Sequence, residues 1–234
     1  MQTIAVHSLK GGVGKTTTAV NLAWCAATLS SRRTLLWDLD PQAAATFVIG
    51  MQPGGEQARA IFSRDAKVRA RPSAWPRLDV IGADASLHGL DRLFHEEGAK
   101  KRLRKLIDQA GDHDRVVLDC PPGLDTVADQ AIRAADLVVV PVIPSPLSAR
   151  ALDAVIERVG GKVPLMPVFT MVDRRRSIHA AALAQHPDWP IIPMSSMVEA
   201  MAAKRAPIGA FAPRSAPAQA YAALWRAIEQ RLAG

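Results

Sequence analysis

The sequence predicts an α/β fold, a doubly wound and mainly parallel sheet with helices on both faces. Three observations carry this. Short apolar runs alternate with helix-like stretches along the 234 residues, the order that βα repeats produce. Several runs, such as Leu137-Val138-Val139-Val140, are continuous in branched apolar residues, as strands covered on both faces require. The first run, Ile4-Ala5-Val6, feeds a glycine-rich loop that opens a helical stretch, and in such sheets ligands sit beyond the carboxyl ends of the strands.

In chain order, the strands are expected at Thr3–His7, Thr34–Asp38, Leu78–Gly82, Arg115–Asp119, Leu137–Val142, Leu165–Thr170 and Pro190–Pro193. Helices are expected at Thr16–Leu29, Thr126–Ala135, Ala149–Val159, Ile178–Ala184 and Ala216–Leu232. The stretch from Gln52 to Pro76, with Pro53-Gly54-Gly55 and Arg71-Pro72, predicts a surface excursion with a short helix. From Gly98 to Lys105 the chain is densely basic. Leu103, Leu106 and Ile107 there suit a core-facing helical stripe that leaves Lys100, Lys101, Arg104 and Lys105 outside. Residues 1–234 are expected to form a single domain with a proper core.

At 49% hydrophobic and 22% charged, the chain falls in the ordinary globular range. Its formal charge of +7 favours acidic partners, nucleic acid first; an arginine-rich solvated surface is the plainer alternative. Cys25 and Cys120 lie in no C-x-x-C pair and read as small core residues. No apolar run approaches the length of a membrane span, and the first strand starts at once, so no leader is expected and the protein should be cytoplasmic.

The loop Lys10-Gly11-Gly12-Val13-Gly14-Lys15-Thr16-Thr17 is a P-loop in its required strand–loop–helix setting. Its glycines let the backbone close on phosphates, and its N–H groups make an anion nest at a helix start. Lys15 is placed to reach the β- and γ-phosphates of ATP, and the Thr16 hydroxyl to bind Mg²⁺. Lys10 is an extra cation beside a triphosphate site; a solvated loop charge is the plain alternative. Val116-Val117-Leu118-Asp119 is an apolar strand ending in aspartate. Asp119 should hold Mg²⁺ through a water, since that ion keeps much of its hydration. Trp37-Asp38-Leu39-Asp40-Pro41-Gln42 ends the second strand, and one carboxylate there suffices to align a water for phosphoryl transfer. An Asx turn before Pro41 is the plain reading of Asp40.

These motifs together resemble the ParA/MinD superfamily of deviant Walker A ATPases. The resemblance rests on K-G-G-x-G-K-T-T at residues 10–17, D-x-D-P-Q at 38–42 and D-x-P-P at 119–122. It continues through Val140–Pro146, Thr170–Arg175, Ile192-Pro193 and Val198–Ala200, and so spans nearly the whole chain. It implies that Lys10 crosses a dimer interface to the nucleotide of the other subunit, that Asp40 orients the attacking water, and that Asp38 supports the magnesium shell. It also implies that the base packs near Met171 and Pro193. Met201 stands where ParA proteins often have proline, and no helix-turn-helix extension precedes the first strand.

The compact ParA type is the expected class. It implies an ATP-closed homodimer that binds DNA without sequence preference. A ParB-like or cargo-adaptor activator then releases it by stimulating slow ATP hydrolysis, and it would be found on the nucleoid. Candidate DNA contacts are Arg174, Arg175, Arg176, Lys204, Arg205 and Arg214, with Lys100, Lys101 and Arg104 as a second cluster. A MinD-like protein-positioning ATPase is the nearest alternative. Tyr221, Leu224, Trp225, Ile228 and Leu232 form the stripe of a final core helix, which disfavours a membrane anchor. A small-molecule ligase of the dethiobiotin-synthetase type shares the fold; Lys10 and the D-x-D-P-Q segment argue against it.

Overall fold

The computed structural model describes residues 1–52, 70–84, 87, 102–123 and 126–233. In chain order the elements are β1 (Gln2–Val6), α1 (Lys15–Leu29), β2 (Thr34–Asp38), α2 (Ala44–Val48), β3 (Arg71–Pro72) and β4 (Leu78–Ile81). They continue with α3 (Arg102–Gln109), β5 (Arg115–Asp119), α4 (Thr126–Ala134), β6 (Leu137–Val142), α5 (Pro146–Val159) and β7 (Leu165–Val172). The chain closes with α6 (Ser177–Gln185), β8 (Ile191–Pro193), α7 (Ser196–Lys204), α8 (Ile208–Phe211) and α9 (Ala216–Ala233). One sheet runs in the order β3-β4-β2-β5-β1-β6-β7-β8, and every pairing is parallel except β3 with β4. The doubly wound α/β fold is therefore the fold of the chain.

Side-chain alternation along each strand divides the core into two layers. Ala5, Leu35, Trp37, Val116, Leu118, Val138 and Val140 face one layer, completed by α3, α4 and α5. Ile4, Val6, Leu36, Val117 and Val139 face the other, completed by α1 and α9. The continuous apolar runs of β1, β2, β5 and β6 are what two covered faces demand. In α9, Tyr221, Leu224, Trp225 and Ile228 are buried, and the Trp225 indole N–H donates to Ser30 Oγ at 2.7 Å. That stripe packs on α1, as a core helix should. No helix among the described residues is long and apolar enough to cross a membrane.

Several boundaries move for local reasons. β7 runs past Thr170 to Val172 through a bulge between Phe169 and Val172, where Met171 takes φ 53°. α5 starts at Pro146, not Ala149, because Ser145 is its N-cap and accepts the Ser148 N–H, with Pro146 preset in the first turn. Arg71-Pro72 is an antiparallel edge strand on β4 rather than irregular chain, a place that tolerates proline's missing donor. Leu103, Leu106 and Ile107 are buried along α3 as their spacing requires. The short helix expected in the Gln52–Pro76 excursion, together with Lys100 and Lys101, lies outside the described residues.

Candidate active site

β1 is central, flanked by β5 and β6, and the next strand in sequence, β2, lies beyond β5. The crevice this creates at the carboxyl edge is where the loop after β1 sits. Gly12 (φ 70°) and Gly14 (φ 88°) hold left-handed backbone there, which a residue with a Cβ adopts only at a cost. A Cβ added at Gly11, Gly12 or Gly14 would meet no atom within 4 Å, so the loop borders open space that a phosphate chain can fill. No side chain caps α1 and its first turn holds no acid, which leaves its backbone donors and dipole for an anion. From β7, the Thr170 hydroxyl donates to the Val13 carbonyl at 2.8 Å and braces the loop.

Lys15 is 7% exposed and its Nζ donates to the Lys10 carbonyl at 3.3 Å. Burial pushes its pKa down, while Asp119 and Asp40 pull it back up. Register places Asp38 directly beside Asp119 on adjacent strands. Asp119 is fully buried and no hydrogen bond of normal geometry reaches either of its oxygens, although Thr16 and Lys15 lie close enough to favour its ionised form. Burial and then the Asp38 charge hold its pKa well above the carboxylate range. A buried carboxylate without partners, next to a threonine hydroxyl, is a hard-oxygen donor set of the kind Mg²⁺ takes.

Asp38 is hydrogen-bonded within the chain through both oxygens. Its Oδ2 accepts the Thr46 N–H at 2.8 Å and the Thr46 hydroxyl at 2.7 Å, and its Oδ1 accepts the Asp40 N–H at 3.1 Å. Burial lifts its pKa to about 6 against those bonds. These bonds tie β2 to α2 and fix the Asp40 backbone. Thr46 in turn accepts the Ala83 N–H at 2.8 Å, extending the tie to the end of β4. Asp40 lies two residues past the strand end. Its Oδ1 accepts the Gln42 N–H at 2.9 Å, so the Asx turn is present. Its other oxygen takes no bond from a described residue.

A cleft beside the loop is lined by Gly14, Thr17, Thr170, Met171, Pro193 and Glu199, among others. The two positions expected near the base, Met171 and Pro193, therefore share one cleft with the phosphate loop. The strained backbone at Met171 turns this end of β7.

The basic candidates fall at separate places. Arg174, Arg175 and Arg176 form the β7–α6 turn and are exposed; Lys204 ends α7, and Arg214 precedes α9, both exposed. Arg175 is forked onto Asp173 by two bonds of 2.9 Å. Arg205 is half-buried: it donates to the Phe47 and Met51 carbonyls and lies 4.8 Å over the Phe47 ring. Its guanidinium is structural, closing α7 onto α2.

Three residues of the site escape motif reading: Thr46, Asn21 and His7; Thr170 lies in a matched segment, but its bond to the loop was not foreseen. Asn21 bonds the Thr17 carbonyl at 2.8 Å and accepts the Ile208 N–H at 2.9 Å, joining α1 to α8. A buried asparagine inside a helix was its only signal. His7 is fully buried at the end of β1, with neither ring nitrogen bonded. Burial first, then Lys15, lowers its pKa to about 4.

The geometry can be set beside known proteins. A family model described as an AAA domain matches residues 1–162. The chromosome partitioning protein ParA of Caulobacter vibrioides is 35% identical over 196 residues, covering 76% of this chain and 72% of that protein. The chain belongs to the ParA/MinD superfamily. A Borrelia burgdorferi protein described as a plasmid partition protein, bound to AMPPNP, superposes with a TM-score of 0.83 at 20% identity, over 98% of this chain and 99% of that one. Cobyrinic acid a,c-diamide synthase of Mycobacterium smegmatis, with ADP and magnesium, superposes with a TM-score of 0.80 at 24% identity, over 100% and 96%. At such identities the two structures show the shared fold. ParA/MinD proteins are ATPases, and these neighbours hold the nucleotide or magnesium that the loop, Thr16 and Asp119 fit.

Proposed function

We propose that this ParA/MinD protein is a partitioning or positioning ATPase that closes into a homodimer on ATP. In that state it binds DNA without sequence preference, and it is released when an activator speeds a slow hydrolysis. The observation that carries this is the grouping at one sheet edge of Lys15, Lys10, Asp40 and the unpartnered carboxylate of Asp119. Lys15 and the first turn of α1 would hold the phosphates. Asp40, fixed by Asp38 and its own turn, has one oxygen left to orient a water, and phosphoryl transfer asks little more of a protein than such positioning. Mg²⁺, held by Thr16 and through water by Asp119, would neutralise charge on the phosphate oxygens. Lys10 would act across the dimer.

For DNA, the set narrows to Arg174, Arg175, Arg176, Lys204 and Arg214, since Arg205 is committed to carbonyls within the chain. A closed dimer doubles this basic surface, so affinity should rise with ATP and fall steeply with salt, at a log–log slope of about −0.9 per neutralised phosphate. The test is a mobility-shift series on random duplexes with ATP, with ADP and without nucleotide. Binding only with ATP, weakened alike on all sequences by Arg174→Glu with Lys204→Glu, is expected. Equal binding in all three states, or none at low salt with ATP, would count against it.

A further inference from the structure

A second cavity, of about 550 Å³, opens on the opposite side of the sheet edge from the phosphate loop. It lies where α4 and α5 end and β6 and β7 begin, the amino-terminal edge of the parallel strands. Its floor is apolar, with Ile132, Ala134, Val159 and Val163, and four cations surround it: Arg104, Arg133, Arg158 and Lys162. One acid, Asp129, lines it and is forked by the Arg158 guanidinium. Arg104 is turned to the Ala134 carbonyl at 3.2 Å and lies near Asp108 and Asp136, at 3.4 and 3.8 Å. Arg133 and Lys162 are exposed and have no ion-pair or hydrogen-bond partner among the described residues.

We infer that this cavity binds a second nucleotide-class ligand, a phosphorylated compound with a flat base. Two unpaired cations beside an apolar floor match a molecule with phosphates at one end and a ring at the other. The size lies within the roughly 300–1,000 Å³ of small-molecule sites. A DNA backbone is met by surface cations and needs no apolar recess. The cations do offset the negative ends of α4 and α5, but Arg104 on the Ala134 carbonyl and the Gly160 N–H on the Ile156 carbonyl already occupy part of that charge. The site is independent of the partitioning reading.

The probe is adenosine 3′,5′-bisphosphate, which lacks the polyphosphate chain that the phosphate loop grips. It is titrated calorimetrically into protein saturated with Mg²⁺ and ADP. One molecule per chain is expected to bind, equally well in Lys15→Ala without ADP. Arg133→Ala with Lys162→Ala should weaken it by about tenfold or more per cation removed and leave ADP affinity unchanged. No binding to the wild type, or unchanged binding to the double variant, overturns the inference. Pyrophosphate binding as tightly as the bisphosphate overturns the role given to the apolar floor, and displacement by a random duplex reassigns the cavity to nucleic acid.

Discussion

His7 shows how a single residue can carry cost and information together. It ends β1 with a full imidazole buried and unbonded, directly before the loop that holds Lys15. Unfolded, a histidine takes its proton near 6.5; here the pKa is about 4. Between those values the unfolded chain binds more protons, so stability rises with pH. The contribution is complete above pH 6.5 and is lost as pH falls towards 4, a change of about 3 kcal/mol. Asp38, raised to about 6, and Asp119, raised well above the carboxylate range, act with the opposite sign, because there the folded chain binds more protons. The His7 share is therefore read as a difference: in urea unfolding at intervals from pH 7 to pH 4 the wild type should lose about 3 kcal/mol relative to His7→Gln as pH falls, and parallel profiles would assign the effect elsewhere. Thr46 makes the second case. It is fully buried and bonded to Asp38 and Ala83. Thr46→Val would leave Asp38 Oδ2 with one bond fewer and the Ala83 N–H with none, a loss of about 1–3 kcal/mol. ATP turnover should fall with it, because the Asp40 N–H rests on the same carboxylate. Thermal unfolding and an ATPase assay read the two effects separately.

At the scale of elements, α9 packs as a core helix. Trp225 is 1% exposed against α1, so Trp225→Ala should cost about 3–5 kcal/mol; a change under 1 kcal/mol in denaturant unfolding would contradict the packing. Most elements were legible from sequence because their signals are local and redundant. β2, β5 and β6 are apolar runs with the predicted bounds, and the P-loop is specified by glycines that must take positive φ. What was illegible depends on distant partners. β3 exists only because β4 offers it an edge. The bulge that extends β7 past Thr170 comes from its pairing with β8. Arg205 reads as a free surface cation until α2 is folded against α7, when the Phe47 and Met51 carbonyls claim it. In the site, the residues proposed to hold phosphate or metal carry motif signatures. The struts Thr46 and Asn21 are ordinary polar residues with partners far away in sequence, Ala83 for one and Ile208 for the other.

For the whole molecule, the net charge of +7 suits the anionic surface on which the proposed dimer would act. In the proposed mechanism Lys10 links monomer and dimer. Its side chain is half-buried at the loop's start, while its carbonyl receives Lys15. Lys10→Ala should bind one ATP per chain, as equilibrium dialysis reports, and stay monomeric; normal dimerisation and hydrolysis in that variant would remove Lys10 from the mechanism. The central claim is that Asp40 aligns the water in an ATP-closed dimer, and it is tested most directly by measuring ATP turnover and molar mass together in Asp40→Ala. Water alignment is worth about 10²-fold or more of the rate, and in the proposed mechanism Asp40 makes no contact with the phosphates. The variant should therefore keep ATP, lose turnover by about that factor and run in light scattering as a persistent dimer with ATP. Wild-type turnover, or a monomer with ATP bound, would contradict the account.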